Sequence, residues 1–333
     1  MNSTNPASFN HRKERLSTGR TYHFVDQRPE AFHSQSTTLL CIHGFPDLWY
    51  GWRYQVKPWV QTGFRVVVPT MLGYGDTDKP VDPAEYTTKK LCADLVALLD
   101  LLGVEKAVVI GHDWGSFIAG RMALWHPSRL LALILMSIPY TPPLLRYVTI
   151  QEIAHRLPNL KYQVYFSDPS FTPEVEAALL PFLGAVFLPP GSDIKFTDVS
   201  LWPKIFGEGH LPNPPSVLTP QEMNYYYTQL KKGMTGPLNY YRTSQYRFDE
   251  ERAADLPSFL PSDLSVLFIW GTSDPAAMPI QVDNARKFVP RLRDVALEGR
   301  GHWIMVEAKD EVTDTISSWL GDLGLLSPQK PKL

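Results

Sequence analysis

The stretch VVIGHDWGSFIAG, residues 108–120, decides the fold. Its opening residues are β-branched and apolar, which suits a strand buried on both faces. Gly111 and Gly115 bracket Asp113 in the pattern G-x-nucleophile-x-G, and a helix-like run follows that must stop ahead of Pro127. Strand, tight glycine-bounded turn and helix in this order form a nucleophile elbow. The reactive side chain stands on a strained turn, and the helix N-terminus aims its N–H groups at it. The residue at the centre is a carboxylate, not a hydroxyl.

Working outward, similar apolar runs recur at TTLLCIHG (37–44), FRVVVPT (64–70), LLALILMS (130–137) and SVLFIWG (265–271). Helical patterns lie between several of them. TTKKLCADLVALLDLLG (87–103) has apolar residues at helical spacing and ends in Gly103, a C-terminal stop. Near-continuous apolar strands alternating with helices indicate an α/β fold with a mostly parallel sheet covered on both faces. The pattern lapses after Ser137. Residues 139–250 hold 15 of the 30 prolines in about a third of the chain, with the aromatic clusters YQVYF and NYYYTQL. Helices are expected at about 172–186 and 221–232, and no strand of the parallel type. The strand–helix alternation resumes at SVLFIWG. The expected organisation is therefore one core, residues 1–138 and 251–333, interrupted by a mostly helical insertion, 139–250.

Composition bounds the rest. A 333-residue chain with 44% hydrophobic and 20% charged residues reads as a folded globular protein. A net charge of −2 without a long basic run leaves no electrostatic footprint for nucleic acid. Cys41 and Cys92 lie far apart in apolar or helical contexts and read as two buried thiols. No His/Cys/Asp cluster has metal-ligand spacing, and no metal or cofactor is expected. The N-terminus lacks the apolar stretch of a secretory signal, and the longest apolar run (130–138) is too short to span a membrane. The expectation is a cytoplasmic protein with no membrane partner, with a homodimer left open. The final tripeptide PKL resembles a peroxisomal address with Pro where a small residue is usual. The segments 187–200 and 207–216 read as lids or surface loops.

Two further segments complete the elbow. FIWGTSDPAAMP (268–279) sets Asp274 in the loop after a buried strand, and LEGRGHWIMVE (297–307) sets His302 in a glycine-rich loop. Nucleophile, acid and His in this chain order match the triad of the α/β-hydrolase fold. CIHGFPDLWYGWR (41–53) runs a strand into His-Gly, making the Phe45 and Trp114 backbone N–H groups candidates for an oxyanion hole. His43 and His112 read as structural, and Ser116, off the elbow, as an early-helix cap.

HGFP (43–46), GYGDTDKP (73–80), GHDWGS (111–116), GTSD (271–274) and GRGHW (299–303), in this order, resemble the soluble epoxide hydrolases of the α/β-hydrolase fold. The resemblance covers about residues 20–320 and leaves no room for the N-terminal phosphatase domain of that family's larger members. It implies that the insertion is a cap. KYQVYF (161–166) is similar to the family's first cap-tyrosine segment, making Tyr162 a ring-opening acid. GPLNYYR (236–242) is similar to the second, with Tyr241 at the acid position and Tyr240 where Trp is usual, so Tyr240 stands as a rival. Candidate substrate contacts are Trp49, Trp114, Phe45, Gln163, Tyr240 and Trp303, with Trp52 assigned to the core. The implied substrate is an apolar or aryl-substituted epoxide.

The residue types suit that reaction. Asp113 is ionised near neutral pH, so it attacks an sp³ carbon directly and forms an ester. His302, oriented by Asp274, is left free to activate a water against that ester. Opening an epoxide leaves an alkoxide that needs a proton, and a phenol with an ordinary pKa of about 10 holds one to give. Two alternatives stay open. A haloalkane or haloacid dehalogenase would use the same Asp, with the Trp114 indole as halide donor. A binding protein of the same fold would have lost turnover.

Overall fold

The computed structural model describes residues 1–33, 36–193, 195–203 and 215–326. Most of the 207–216 segment and the PKL tripeptide (331–333) lie outside the described residues. Eight strands form one sheet: β1 (His11–Arg15), β2 (Thr21–Gln27), β3 (Thr38–Ile42), β4 (Arg65–Pro69), β5 (Ala107–His112), β6 (Leu130–Met136), β7 (Val266–Gly271) and β8 (Leu292–Leu297). Their spatial order is β1-β2-β4-β3-β5-β6-β7-β8. β1 and β2 are antiparallel, and from β4 onward every pairing is parallel. Every residue of β3, β4, β5 and β7 is buried. This is why those runs carry apolar residues without alternation: helices cover both faces.

Three core helices explain their own limits. α1 (Arg53–Gln61) packs behind β4. α2 (Thr88–Leu101) is opened by the Thr87 hydroxyl, which accepts from Lys90 N–H, and closes before Gly103 at φ +65°. α3 (Trp114–Trp125) leaves the C-terminal end of β5 and runs to His126, just before Pro127. After β3 the chain crosses to β4 on one side, and β5 then lies on the other. The crevice at the carboxyl ends of β3 and β5 is thus the topological switch point, where open α/β sheets bind ligands.

Between β6 and β7 the described residues form helices and turns without a strand. The helix expected over 172–186 is two, Phe171–Ala177 and Leu179–Val186. The break has a cause at Pro181: its ring would strike the carbonyl four residues back, that of Ala177. In the new helix Pro181 falls in the first turn, where its missing N–H costs nothing. The other expected helix runs Pro220–Leu230, with a capping box in which Thr219 and Glu222 exchange hydrogen bonds. Buried polar contacts pin this excursion to the core. Arg53 Nε donates to Glu222 Oε1 at 2.7 Å and Tyr226 Oη to Asp47 Oδ1 at 2.6 Å. Among the described residues no helix is long and apolar enough to cross a membrane.

Candidate active site

The elbow is built as its glycines require. Asp113 has φ 54° and ψ −119°, a conformation that L-residues avoid unless the surroundings impose it. A Cβ on Gly111 would lie 2.1 Å from the Gly115 carbonyl oxygen, and one on Gly115 2.0 Å from that of Ile42. Both positions are closed to any side chain. The turn lifts Asp113 into the switch-point crevice, where Phe45 N–H donates to its Oδ1 at 2.8 Å. The Trp114 N–H, at the start of α3, also serves the carboxylate. The two backbone donors nominated from sequence thus meet on one oxygen-bearing group. Burial pushes the Asp113 carboxyl up, while the charge of His302 and these two N–H groups pull it down.

His302 reaches the same point from the C-terminal part of the chain. Its Nε2 is 3.6 Å from Asp113 Oδ2, and its Nδ1 is 2.8 Å from Asp274 Oδ2. Asp274 is fully enclosed, and its other oxygen accepts from Ala276 N–H at 2.8 Å. Burial alone would lower the His302 pKa. The Asp274 charge and hydrogen bond, joined by the Asp113 charge, outweigh it and hold the imidazole at about 9. At neutral pH the imidazole of the free site therefore carries both ring protons.

A cavity of about 530 Å³ opens above Asp113 and His302, within the range of small-molecule sites. Tyr162 and Tyr241 both line it. Their rings lie 6.4 Å apart, and Tyr241 stands edge-on to Phe45 at 5.1 Å. Burial, followed by charge and phenol neighbours, raises both phenols well above their ordinary value, so both stay protonated. Phe45 and Trp303 also line this cavity. The Trp303 indole donates to the Val186 carbonyl at 3.0 Å, tying the wall to the excursion between β6 and β7.

Four sequence-stated contacts lie elsewhere. Trp49 does not line this cavity. Its indole donates to Tyr225 Oη at 2.9 Å, beside a separate hollow next to His11. Tyr240 sends its hydroxyl to the Leu72 carbonyl at 2.9 Å, which removes it as a rival to Tyr241. Gln163 is not a wall residue; its amide contacts the Tyr162 hydroxyl at 3.3 Å. The Trp114 side chain packs edge-on to Tyr241 rather than forming the wall. Trp114, Gln163 and Tyr240 each adjoin a wall residue in sequence, and Trp49 lies three past Pro46; residue type alone carries no facing information. Ser116 does not cap α3: its hydroxyl donates to Ile138 O at 2.6 Å. Trp52 is fully buried, as are both thiols. His43 accepts from Met71 N–H through Nε2, and His112 Nε2 bonds the His302 carbonyl. Sequence reasoning missed Glu307, whose carboxylate accepts from Gly301 and Trp303 N–H. Its signal was an acid five residues after His302, on a helix too short to show periodicity.

Residues 37–309 match the family described as the alpha/beta hydrolase fold. The chain is 31% identical over 326 residues to bifunctional epoxide hydrolase 2 of Mus musculus, covering 95% of this chain and 56% of that protein. It thus spans little more than half the length of that relative. It is 31% identical over 307 residues to epoxide hydrolase A of Mycobacterium tuberculosis, covering 89% of this chain and 94% of the relative. A crystal structure of an epoxide hydrolase from Vigna radiata superposes with a TM-score of 0.80 at 26% identity, over 96% of this chain and 99% of that one.

Proposed function

The chain belongs to the epoxide hydrolases of the α/β-hydrolase fold, and from that premise we propose that it converts an apolar or aryl epoxide to a vicinal diol through an ester on Asp113. The supporting observation is the joint placement of four functions on one cavity. These are a carboxylate nucleophile on the elbow, two N–H groups on it, a His–Asp pair behind it, and two protonated phenols in the wall. The helical excursion, residues 139–250, acts as the cap that carries the phenols.

In the first step Asp113 attacks a ring carbon with the oxygen not held by Phe45 N–H, and the carbon–oxygen bond of the ring breaks. Tyr162 or Tyr241 gives its proton to the departing alkoxide. Ester formation removes the Asp113 charge, which had helped hold the proton on His302. The imidazolium can then re-protonate the tyrosinate and become the neutral base that the second step needs. It takes a proton from a water that attacks the ester carbonyl, while Phe45 and Trp114 N–H stabilise the tetrahedral oxyanion. Collapse breaks the acyl carbon–oxygen bond, and the proton left on the added oxygen passes to the departing alkoxide, so the Asp113 carboxylate, the imidazolium and both phenols return. Epoxide plus one water gives one diol.

The test is His302→Gln. With alkylation intact and the base missing, intact-protein mass spectrometry after epoxide addition should find one substrate mass added, located at Asp113. An unmodified protein that still turns over at the parent rate would overturn the covalent route.

A further inference from the structure

Three backbone groups around His302 are held by side chains outside the triad. The Glu307 carboxylate accepts from Gly301 N–H at 2.6 Å through Oε2 and from Trp303 N–H at 2.8 Å through Oε1. It therefore clamps the residues on both sides of the imidazole. From the opposite side, the His302 carbonyl accepts from Ser137 Oγ at 2.9 Å and contacts His112 Nε2 at 2.8 Å. Ser137, at φ +64°, directly follows β6, and His112 ends β5. With both neighbouring N–H groups and the His302 carbonyl held, the bond to Asp274 orients the ring.

We infer that Glu307 is a positioning residue for the ester-hydrolysis step: it orients the His302 loop and holds negative charge behind the imidazole. The inference rests on the two-step reading given above. Nothing in the structure gives Glu307 a part in ring opening, which belongs to Asp113 and the phenols. Its removal should therefore be felt in one step only. Its field is also specific. The titratable groups facing His302 are Asp113 across the cavity, Asp274 after β7, Glu307 on its own segment, and His112, whose ring centroid is 4.9 Å away. Burial keeps His112 neutral. Burial also pushes the Glu307 carboxyl up, while its bonds from Gly301 and Trp303 N–H pull it down; as a carboxylate it favours the imidazolium after Asp274 and Asp113.

Glu307→Gln separates the two roles from a merely structural one. Gln keeps the shape but turns an NH₂ toward one of the two N–H donors, and it removes the charge. Alkylation and ester hydrolysis are read separately in rapid-quench single turnovers, with the Asp113 ester followed by mass spectrometry. Alkylation should stay within about twofold. Hydrolysis should fall by about tenfold or more, as small misplacements of a catalytic base do. The pH at which hydrolysis is half-maximal should move down, because the imidazole loses a favourable charge. Glu307→Asp keeps the charge, so it should leave that midpoint in place and recover part of the rate. Equal slowing of both steps with an unmoved midpoint would reduce Glu307 to a fold-stabilising role and overturn the inference, as would unchanged hydrolysis. Wild-type turnover without any ester on Asp113 would instead sink the two-step reading on which it rests.

Discussion

At the scale of single residues, the site works by giving each ionisable group a different environment. His302 is pulled up to about 9 while two phenols are pushed higher still. The protons therefore sit on His302, Tyr162 and Tyr241 before substrate arrives, which is where the proposed ring opening needs them. Replacing either phenol, Tyr162→Phe or Tyr241→Phe, should slow alkylation by about 10²-fold or more, the scale of general-acid contributions. Hydrolysis of a preformed ester should change little. Full activity in both single variants would mean that neither phenol is the acid. The pH dependence has a defined sign. Ester hydrolysis requires neutral His302, so its rate should rise with pH. Because esterified Asp113 no longer supports the imidazolium, the rise should be complete below pH 9. Stopped-flow decay of the ester between pH 5 and 10 measures it; a rate flat across that range would exclude His302 as base. Asp113, Asp274 and His302 were legible in the sequence because each sits in a glycine-marked turn after a strand. The phenols came only through family resemblance. The facing of Trp49, Tyr240, Gln163 and Trp114 was not legible, since it depends on helix rotation and loop packing set by distant contacts.

At the scale of elements, legibility followed burial. The five runs read as strands are β3 to β7, all within the sheet. β1, β2 and β8 escaped notice. β1 reads HRKER and alternates exposed and half-buried residues, and β8 fully buries only its last residue, Leu297. Both are sheet edges, where charge on the strand discourages pairing with another chain and erases the apolar signature. β2 buries its apolar residues between polar ones, among them Asp26, which is held by Arg65 at 2.8 Å. The junction between the helical excursion and the core was equally hidden, because it depends on pairs more than a hundred residues apart. Arg53 and Glu222 are both almost wholly buried, and Glu222 also accepts from Tyr54 Oη at 2.8 Å. Glu222→Ala would leave a buried guanidinium without its partner, a loss on the order of 3–5 kcal/mol. Denaturant unfolding should register it as a lower midpoint. A change under about 1 kcal/mol would mean that solvent screens the pair despite its burial.

At the scale of the whole molecule, the cavity lies between the carboxyl ends of the strands and the excursion above them, so its two faces carry different chemistry. The strand side holds charge, in Asp113, His302 and Asp274. The opposite wall holds phenols and apolar rings such as Phe166 and Phe196. In the proposed mechanism a substrate bound between them would meet the nucleophile on one face and proton donors on the other, the in-line geometry for opening a strained ring. A halide leaves without a proton, and the Trp114 indole, turned edge-on to Tyr241, is not in the wall. The purified protein offered an aryl epoxide and a 1-haloalkane side by side should therefore convert the epoxide to diol. It should release halide at a rate lower by about 10²-fold or more, the amount by which a site built around one leaving group can reject another. Chromatography of the diol and an ion-selective reading of halide measure the two. Comparable halide release would transfer the site to dehalogenation and leave the phenols without a task. Binding without turnover of either compound would mean that the triad geometry is kept for recognition alone.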